Sequence, residues 1–227
     1  MLRFRAVGRL CSSRYERFAR QRGWMRIAGV DEAGRGSLFG PVVAAAVILN
    51  PRRRIVGLDD SKKLSAARRA VLAERIKQFA LDFTVAQVDA SRIDAWNIYQ
   101  ASRQAMLSAV NSLSMTPDYL LIDAMELDVS LEQKSLIHGD ARSVSIAAAS
   151  ILAKTERDRL MDEFDAIYPQ YGLCHNRGYA TADHLAALRA HGPCPLHRQS
   201  FAPVRDSVSW AASASQTPLP LQIAETL

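Results

Sequence analysis

The chain has 227 residues, 48% hydrophobic, 7% aromatic and 23% charged, which excludes a disordered or fibrous protein and leaves room for one domain with a small appendage. Its apolar runs, such as Val42 to Leu49, fall far short of the about 20 residues that a membrane-spanning helix needs, so no part is expected to cross a bilayer. The net charge of +6 points only weakly to a polyanionic partner, because residues 1–26 carry eight Arg against one Glu (+7) and the other residues sum to −1. Cys11, Cys174 and Cys194 are too few for a disulfide framework, and nothing resembles a secretory signal, so a reducing, cytoplasmic setting is the default.

Residues 1–22 read as a basic extension in which Tyr15 to Arg20 has the character of a short surface helix, although an Arg-rich, acid-poor start also fits an organellar transit segment. A core is expected over residues 23–169. Its first strand is Arg26 to Val30 and its second Pro41 to Leu49, with Gly34-Arg35-Gly36-Ser37 between them as a turn. Ser65 is placed to cap a helix carrying Leu72, Ile76 and Phe79, and Asp82 to Val88 alternates as a third strand. Ser91 opens a second helix through Ile98, Ala101, Ala105 and Ala109. Tyr119 to Ile122 is a further strand ending in Asp123, Ser135 to His138 a shorter one, and Ser143 to Tyr168 one long helix. Strands alternating with helices predict an α/β layer. Over 170–206, glycines and prolines punctuate a small element with one short helix near Ala182 to Ala190, and 207–227 lacks a core pattern and reads as a disordered tail.

Carboxylates fall where these strands end. Asp31 and Glu32 directly follow the first strand, Asp123 ends a later one and Asp140 follows Gly139; in α/β folds such ends open into a functional crevice. Four carboxylates brought together there repel one another and need raised pKa values or bound cations. An all-oxygen set selects hard ions, Mg²⁺ or Mn²⁺, and two such ions are the usual device for phosphodiester hydrolysis. The turn Gly34 to Gly40 fails the dinucleotide fingerprint, with Phe39 in place of the third glycine, and lacks the Lys-Ser/Thr of a phosphate loop. Its bare backbone still suits close approach to a ligand, with Arg35 available for a phosphate.

Other features carry bland readings of equal or greater weight. Ser61 and Lys62 before a helix can grip a phosphate or simply cap. The small residues Ser145 to Ser150 suit close packing against the sheet. Tyr168, Tyr171 and Tyr179 beside Arg177 are either stacking platforms or packing residues. Cys174, His191, Cys194 and His197 lack the usual zinc spacing, which favours packing or phosphate contact over a structural metal.

Taken in order, Ile27-Ala28-Gly29-Val30-Asp31-Glu32-Ala33-Gly34-Arg35-Gly36, Asp60-Ser61-Lys62-Lys63-Leu64-Ser65, Leu121-Ile122-Asp123, Gly139-Asp140 with Ser145 to Ser150, Gly178-Tyr179 and His197-Arg198-Gln199-Ser200-Phe201 resemble the ribonuclease HII family from about Ile27 to Val204. The resemblance implies a ribonuclease H-like mixed sheet flanked by helices with a small helical C-terminal element. It also implies a monomeric endonuclease that cuts the RNA strand of RNA/DNA hybrids and nicks on the 5′ side of a ribonucleotide embedded in duplex DNA, using two Mn²⁺ or Mg²⁺ ions. Asp31, Glu32, Asp123 and Asp140 match the family's metal-binding carboxylates. Gly34, Arg35 and Gly36 match its turn that senses the 2′-hydroxyl, Tyr179 its tyrosine that stacks on the junction sugar, and Ser61, Lys62, Arg198 and Ser200 are expected substrate contacts. His138 and Asn176-Arg177 stand where the family commonly has lysine. A junction resolvase on the same fold and a non-catalytic hybrid-binding module are the rivals.

Overall fold

The computed structural model describes residues 11–207. They form one five-stranded sheet in the order β3-β2-β1-β4-β5, from β1 (Ile27–Ala33), β2 (Val42–Leu49), β3 (Ala80–Val88), β4 (Tyr119–Asp123) and β5 (Gln133–Leu136). β1, β2 and β3 pair antiparallel, while β4 and β5 join parallel to β1, so the sheet is mixed. The period of two along β2 sorts its side chains. Val42, Ala44, Ala46 and Ile48 face α4 (Ile98–Asn111), and Ala45 and Val47 face α2 (Ala66–Phe79) and α5 (Val144–Ile167). Helices therefore cover both faces, which is why β2 reads as an unbroken apolar run. The small residues of α5 do pack on the sheet: Ser145 to Ala153 are buried, and a Cβ at Gly29 would lie 2.1 Å from the Ser145 carbonyl carbon.

Several elements differ from the sequence expectation. β1 runs on through Asp31, Glu32 and Ala33, because β2 continues to pair with them at Ala45, Ala44 and Val43; the acids lie inside the strand rather than after it. The expected helix from Ser91 is two helices. Asp89, not Ser91, caps α3 (Ala90–Trp96) by accepting from Arg92 N, and Asn97 at φ 73° breaks the run and caps α4 through Gln100 N. β5 lies two residues earlier than the sequence suggests, and His138 at φ 55° ends any extension before a 3-10 turn over Gly139–Ala141. The short surface helix exists as α1 (Arg14–Gln21), with Glu16 and Ala19 buried and Ala19 packed among Ile27, Tyr119, Leu121 and Ile146. The C-terminal element holds α6 (Leu173–Asn176), α7 (Ala182–His191) and a helical turn over 202–207, more than the one helix expected. The rest of the basic extension (1–10) and the tail beyond residue 207 lie outside the described residues.

Candidate active site

Register brings the acids together. Val30 is opposite Ile122, so one step further along the parallel pair Asp31 faces Asp123, both on the α5 side of the sheet. The turn after β5 returns Asp140 beside them, with Gly139 N donating to Asp123 Oδ1 at 2.6 Å. Asp31 is 4% exposed, as is Asp140. Burial first, then the charges of Glu32 and Asp123, hold the Asp31 carboxyl well above its usual range, against a hydrogen bond from Ser150. Glu32 and Asp123 are raised too, chiefly by burial, with Asp123 acting on Glu32 and Asp140 on Asp123. Among the described residues, the only cation in an ion pair with these aspartates is Lys62, whose Nζ is 3.5 Å from Asp140 Oδ2. Its partial burial works against the charged form, but Asp140, Asp31 and Asp60 outweigh this and raise its pKa.

Among the described residues no three His, Cys, Asp or Glu side chains already stand as ligands of one ion. One oxygen of each aspartate is held by a backbone amide: Asp31 by Glu32 N at 2.7 Å, Asp123 by Gly139 N and Asp140 by Ala141 N at 2.9 Å. Of the second oxygens, Asp140 Oδ2 faces Lys62 Nζ at 3.5 Å, and Glu32 Oε2 is buried with no partner. A buried, mutually repelling, all-oxygen set with an orphaned acceptor fits hard divalent cations.

Beside the acids lies a cleft of about 570 Å³ lined by Glu32, Gly34, Arg35, Gly36, Ser61, Lys62, Arg69, Ser150, Lys154 and Tyr179. Seven of the residues expected from sequence thus meet there. Gly34 adopts φ +94°, and a Cβ on it would strike Arg157 Nε at 1.9 Å, whereas a Cβ on Gly36 meets nothing within 4 Å. Gly34 is therefore needed by the fold, and Gly36 leaves backbone open to the cleft. Arg35 pairs with Glu32 at 3.5 Å. Ser61 and Ser150 share a hydrogen bond of 2.9 Å. The Tyr179 ring is 36% exposed and flanked by Lys154 and Arg157 at 5.8 and 5.6 Å.

Arg198 and Ser200 do not reach this cleft. Arg198 is fully buried and donates to Gly40 O at 2.9 Å and Arg35 O at 3.0 Å, and Ser200 donates from Oγ to Asp94 Oδ1 at 2.6 Å. Their work is structural: Arg198 grips the glycine turn from behind. Arg157, which sequence reasoning missed, does the same from α5, donating to Ser37 Oγ at 2.6 Å, Arg177 O at 2.9 Å and Phe39 O at 3.1 Å. Its signal was an arginine on the otherwise apolar stripe of Ile146, Ala149, Ala153 and Met161. The C-terminal element completes the grip through Leu38 N to Gly178 O and Gly40 N to Leu196 O, each 2.8 Å, and wraps Phe39 with Tyr168, Tyr171 and His197. Tyr168 and Tyr171 are thus packing residues. The zinc candidates do not converge, since His197 pairs with His184 at 3.1 Å and Cys174 with Asp165. Arg69 and Lys154, also unforeseen, meet at Asp158.

Known proteins share this sequence pattern and fold. The family profile for Ribonuclease HII matches residues 28–204. A Ribonuclease HII of Koribacter versatilis is 54% identical over 216 residues, covering 95% of this chain and 83% of that one. Among solved structures, the ribonuclease H2 of Pyrococcus horikoshii superposes with a TM-score of 0.71 at 24% identity, covering 82% of this chain and 99% of that one. Bst-RNase HIII in complex with Mn²⁺ gives 0.67 at 21% identity, covering 86% and 73%; both show the fold. With a profile match spanning most of the chain and a majority-identical relative over nearly all of it, this chain belongs to the ribonuclease HII family and is a ribonuclease H endonuclease.

Proposed function

We propose that this enzyme cuts the RNA strand of RNA/DNA hybrids and nicks duplex DNA on the 5′ side of an embedded ribonucleotide, leaving 3′-hydroxyl and 5′-phosphate ends, an activity suited to removing ribonucleotides after DNA replication. The observation that carries this reading is one cleft in which the Glu32 carboxylate, the open backbone at Gly36 and the exposed Tyr179 meet, beside the buried Asp31 and Asp140. Asp31, Glu32, Asp123 and Asp140 would hold two divalent cations, Mn²⁺ or Mg²⁺, which supply activation of water and stabilisation of the departing 3′-oxygen. The Mn²⁺ complex of Bst-RNase HIII supports that choice of ion. The chain's own groups do the rest. The Gly34 to Gly36 backbone hydrogen-bonds to the 2′-hydroxyl, the one local group that tells RNA from DNA. Tyr179 stacks on the junction sugar, and Arg35, Ser61 and Lys62 hold the neighbouring phosphates. The functional unit is the monomer, with the sheet core over 23–169 supplying the carboxylates and the element over 170–206 supplying Tyr179. Three free cysteines suit a cytoplasmic setting, and no helix among the described residues is long and apolar enough to cross a membrane.

The test is cleavage of an end-labelled DNA duplex containing one ribonucleotide, beside an all-DNA control, with Mg²⁺, Mn²⁺ or EDTA. A metal-dependent nick on the 5′ side of the ribonucleotide alone is expected, abolished in Asp31→Asn and Asp123→Asn proteins that still fold. Cutting of both duplexes, or full activity in either variant, overturns the reading.

A further inference from the structure

A second cavity, of about 560 Å³, lies apart from the cleft. Its walls are α1, the loop from Leu49 to Leu58 and the start of α5, and four arginines line it: Arg17, Arg20, Arg53 and Arg54. Among the described residues none of the four is in an ion pair, and Arg20 Nε is buried without a hydrogen-bond partner. The one carboxylate in the cavity, Glu16, is bound to the start of α5 through one oxygen, and its Oε2 is buried without a hydrogen-bond partner. Glu16 Oε1 accepts from Ser143 Oγ at 2.5 Å and Ser145 N at 3.0 Å, and Val144 N is taken by Ser12 O. The start of α5 is thus capped from within, and the unspent donors of the cavity are those of the guanidinium forks, whose geometry matches phosphate oxygens.

The walls are built rather than loose. Ser12 bridges to Ser143, Arg142 donates to the Tyr15 hydroxyl, Arg52 N is tied to Asn50 Oδ1 at 2.9 Å, and the Arg53 guanidinium lies 5.9 Å over the Phe79 ring. The cavity also adjoins the active site. Val144 and Ser145, on its lining, lie four and five residues beyond Asp140, and Ser143 N in between donates to Gly139 O at 2.8 Å.

We infer that this arginine cavity is a second phosphate-binding site, taking the backbone of duplex nucleic acid beyond the point of cleavage. The inference rests on the duplex reading of the cleft but not on its chemistry, so its test omits cleavage. Binding of the full chain to an all-DNA duplex and to an RNA/DNA hybrid is measured by fluorescence anisotropy in EDTA over a series of salt concentrations. Each phosphate neutralised contributes about 0.9 to the slope of log affinity against log salt. The triple variant Arg17→Ala, Arg53→Ala, Arg54→Ala is expected to have a slope shallower by about 1.8, the loss of two phosphates, on both duplexes alike. Replacing the same residues with lysine should restore most of the slope, and Arg159→Ala, which removes an exposed arginine elsewhere, should leave it unchanged. A triple variant that folds with wild-type melting yet keeps the wild-type slope overturns the site, whatever the cleavage assay shows.

Discussion

Replacing Arg157 tests whether recognition of the ribonucleotide is set from behind the cleft. The guanidinium is fully buried and has no carboxylate partner. Burial lowers its pKa, with the neighbouring Arg177 charge adding to that effect, and its three shortest bonds, to Ser37 Oγ, Arg177 O and Phe39 O, span 2.6 to 3.1 Å. Hydrogen bonds to a charged group contribute about 1.5–3 kcal/mol each, so three total roughly 4.5–9 kcal/mol. Burying the ion costs several kcal/mol of this. An Arg157→Met protein is therefore expected to be less stable by about 3 kcal/mol, which for a chain of this size lowers the melting temperature by about 6–12 °C. Arg157→Lys keeps the charge, but one ammonium cannot serve acceptors on both the glycine turn and the Arg177 carbonyl. Its stability loss should be smaller. The discriminating readout is the ratio of affinity for a ribonucleotide-containing duplex to that for all-DNA, measured in EDTA. If Arg157 registers the Gly34 to Gly36 turn against Tyr179, the lysine variant should lose at least about tenfold in that ratio, equivalent to about 1.4 kcal/mol. A lysine variant with wild-type melting and wild-type discrimination would refute the reasoning.

The two glycines of the turn should separate cleanly. Gly34→Ala, strained at φ +94° and clashing with Arg157, is expected to cost more than about 2 kcal/mol in a denaturant titration, whereas Gly36→Ala should melt like wild type and raise KM on the ribonucleotide duplex. Acid should unlatch the C-terminal element. His184 Nδ1 contacts Tyr179 O, Cys194 N donates to His197 Nδ1, and the two Nε2 atoms face each other at 3.1 Å; this chain of bonds requires both rings neutral, with His197 as the Nε2 donor. Burial lowers the His184 pKa, and burial with the His184 charge lowers that of His197 to about 3. A depressed histidine pKa leaves its stability intact above the unfolded value of about 6.5 and loses it as pH falls towards the folded value. Stability at pH 5 should thus be lower by about 2 kcal/mol from His197 alone, and His197→Asn should flatten the slope of stability against pH between about 6.5 and 3; an unchanged slope would contradict the neutral pair. Finally, Ser200→Ala should leave cleavage rates within about twofold, because its hydroxyl serves Asp94.

The carboxylates were legible in the sequence because each lies at or just beyond the end of a candidate strand, and strand ends are where α/β folds expose function. What the sequence concealed was depth. Asp31 and Glu32 look like residues of a turn until β2 is seen pairing through them at Ala45 and Ala44, and that pairing is long-range information absent from any local window. The helix break at Asn97 escaped for the opposite reason: a single left-handed residue that caps its own successor leaves the apolar period running across it. Arg198 sits in a motif associated with substrate, yet a buried guanidinium and an exposed one are spelled alike. Only the fold shows which carbonyls it meets.

That burial also explains how the molecule keeps its charges apart. A simple economy would be to neutralise the four acids with the two deep arginines, and the structure does otherwise. Arg157 and Arg198 direct their donors to neutral acceptors of the glycine turn and of the Arg177 peptide, leaving Lys62 and Arg35 as the only basic groups among the described residues within 4.0 Å of the acids. Were a guanidinium paired with Asp31, its carboxyl would drop towards a low pKa and its oxygens would be taken. With no guanidinium on Asp31 or Asp123, the cluster keeps a concentrated negative charge that a divalent cation would relieve. The arginines meanwhile add positive potential behind the glycine turn. Stability is given up at the acids, where folding must bury charge against charge, and the same unrelieved repulsion is what makes the site avid for cations.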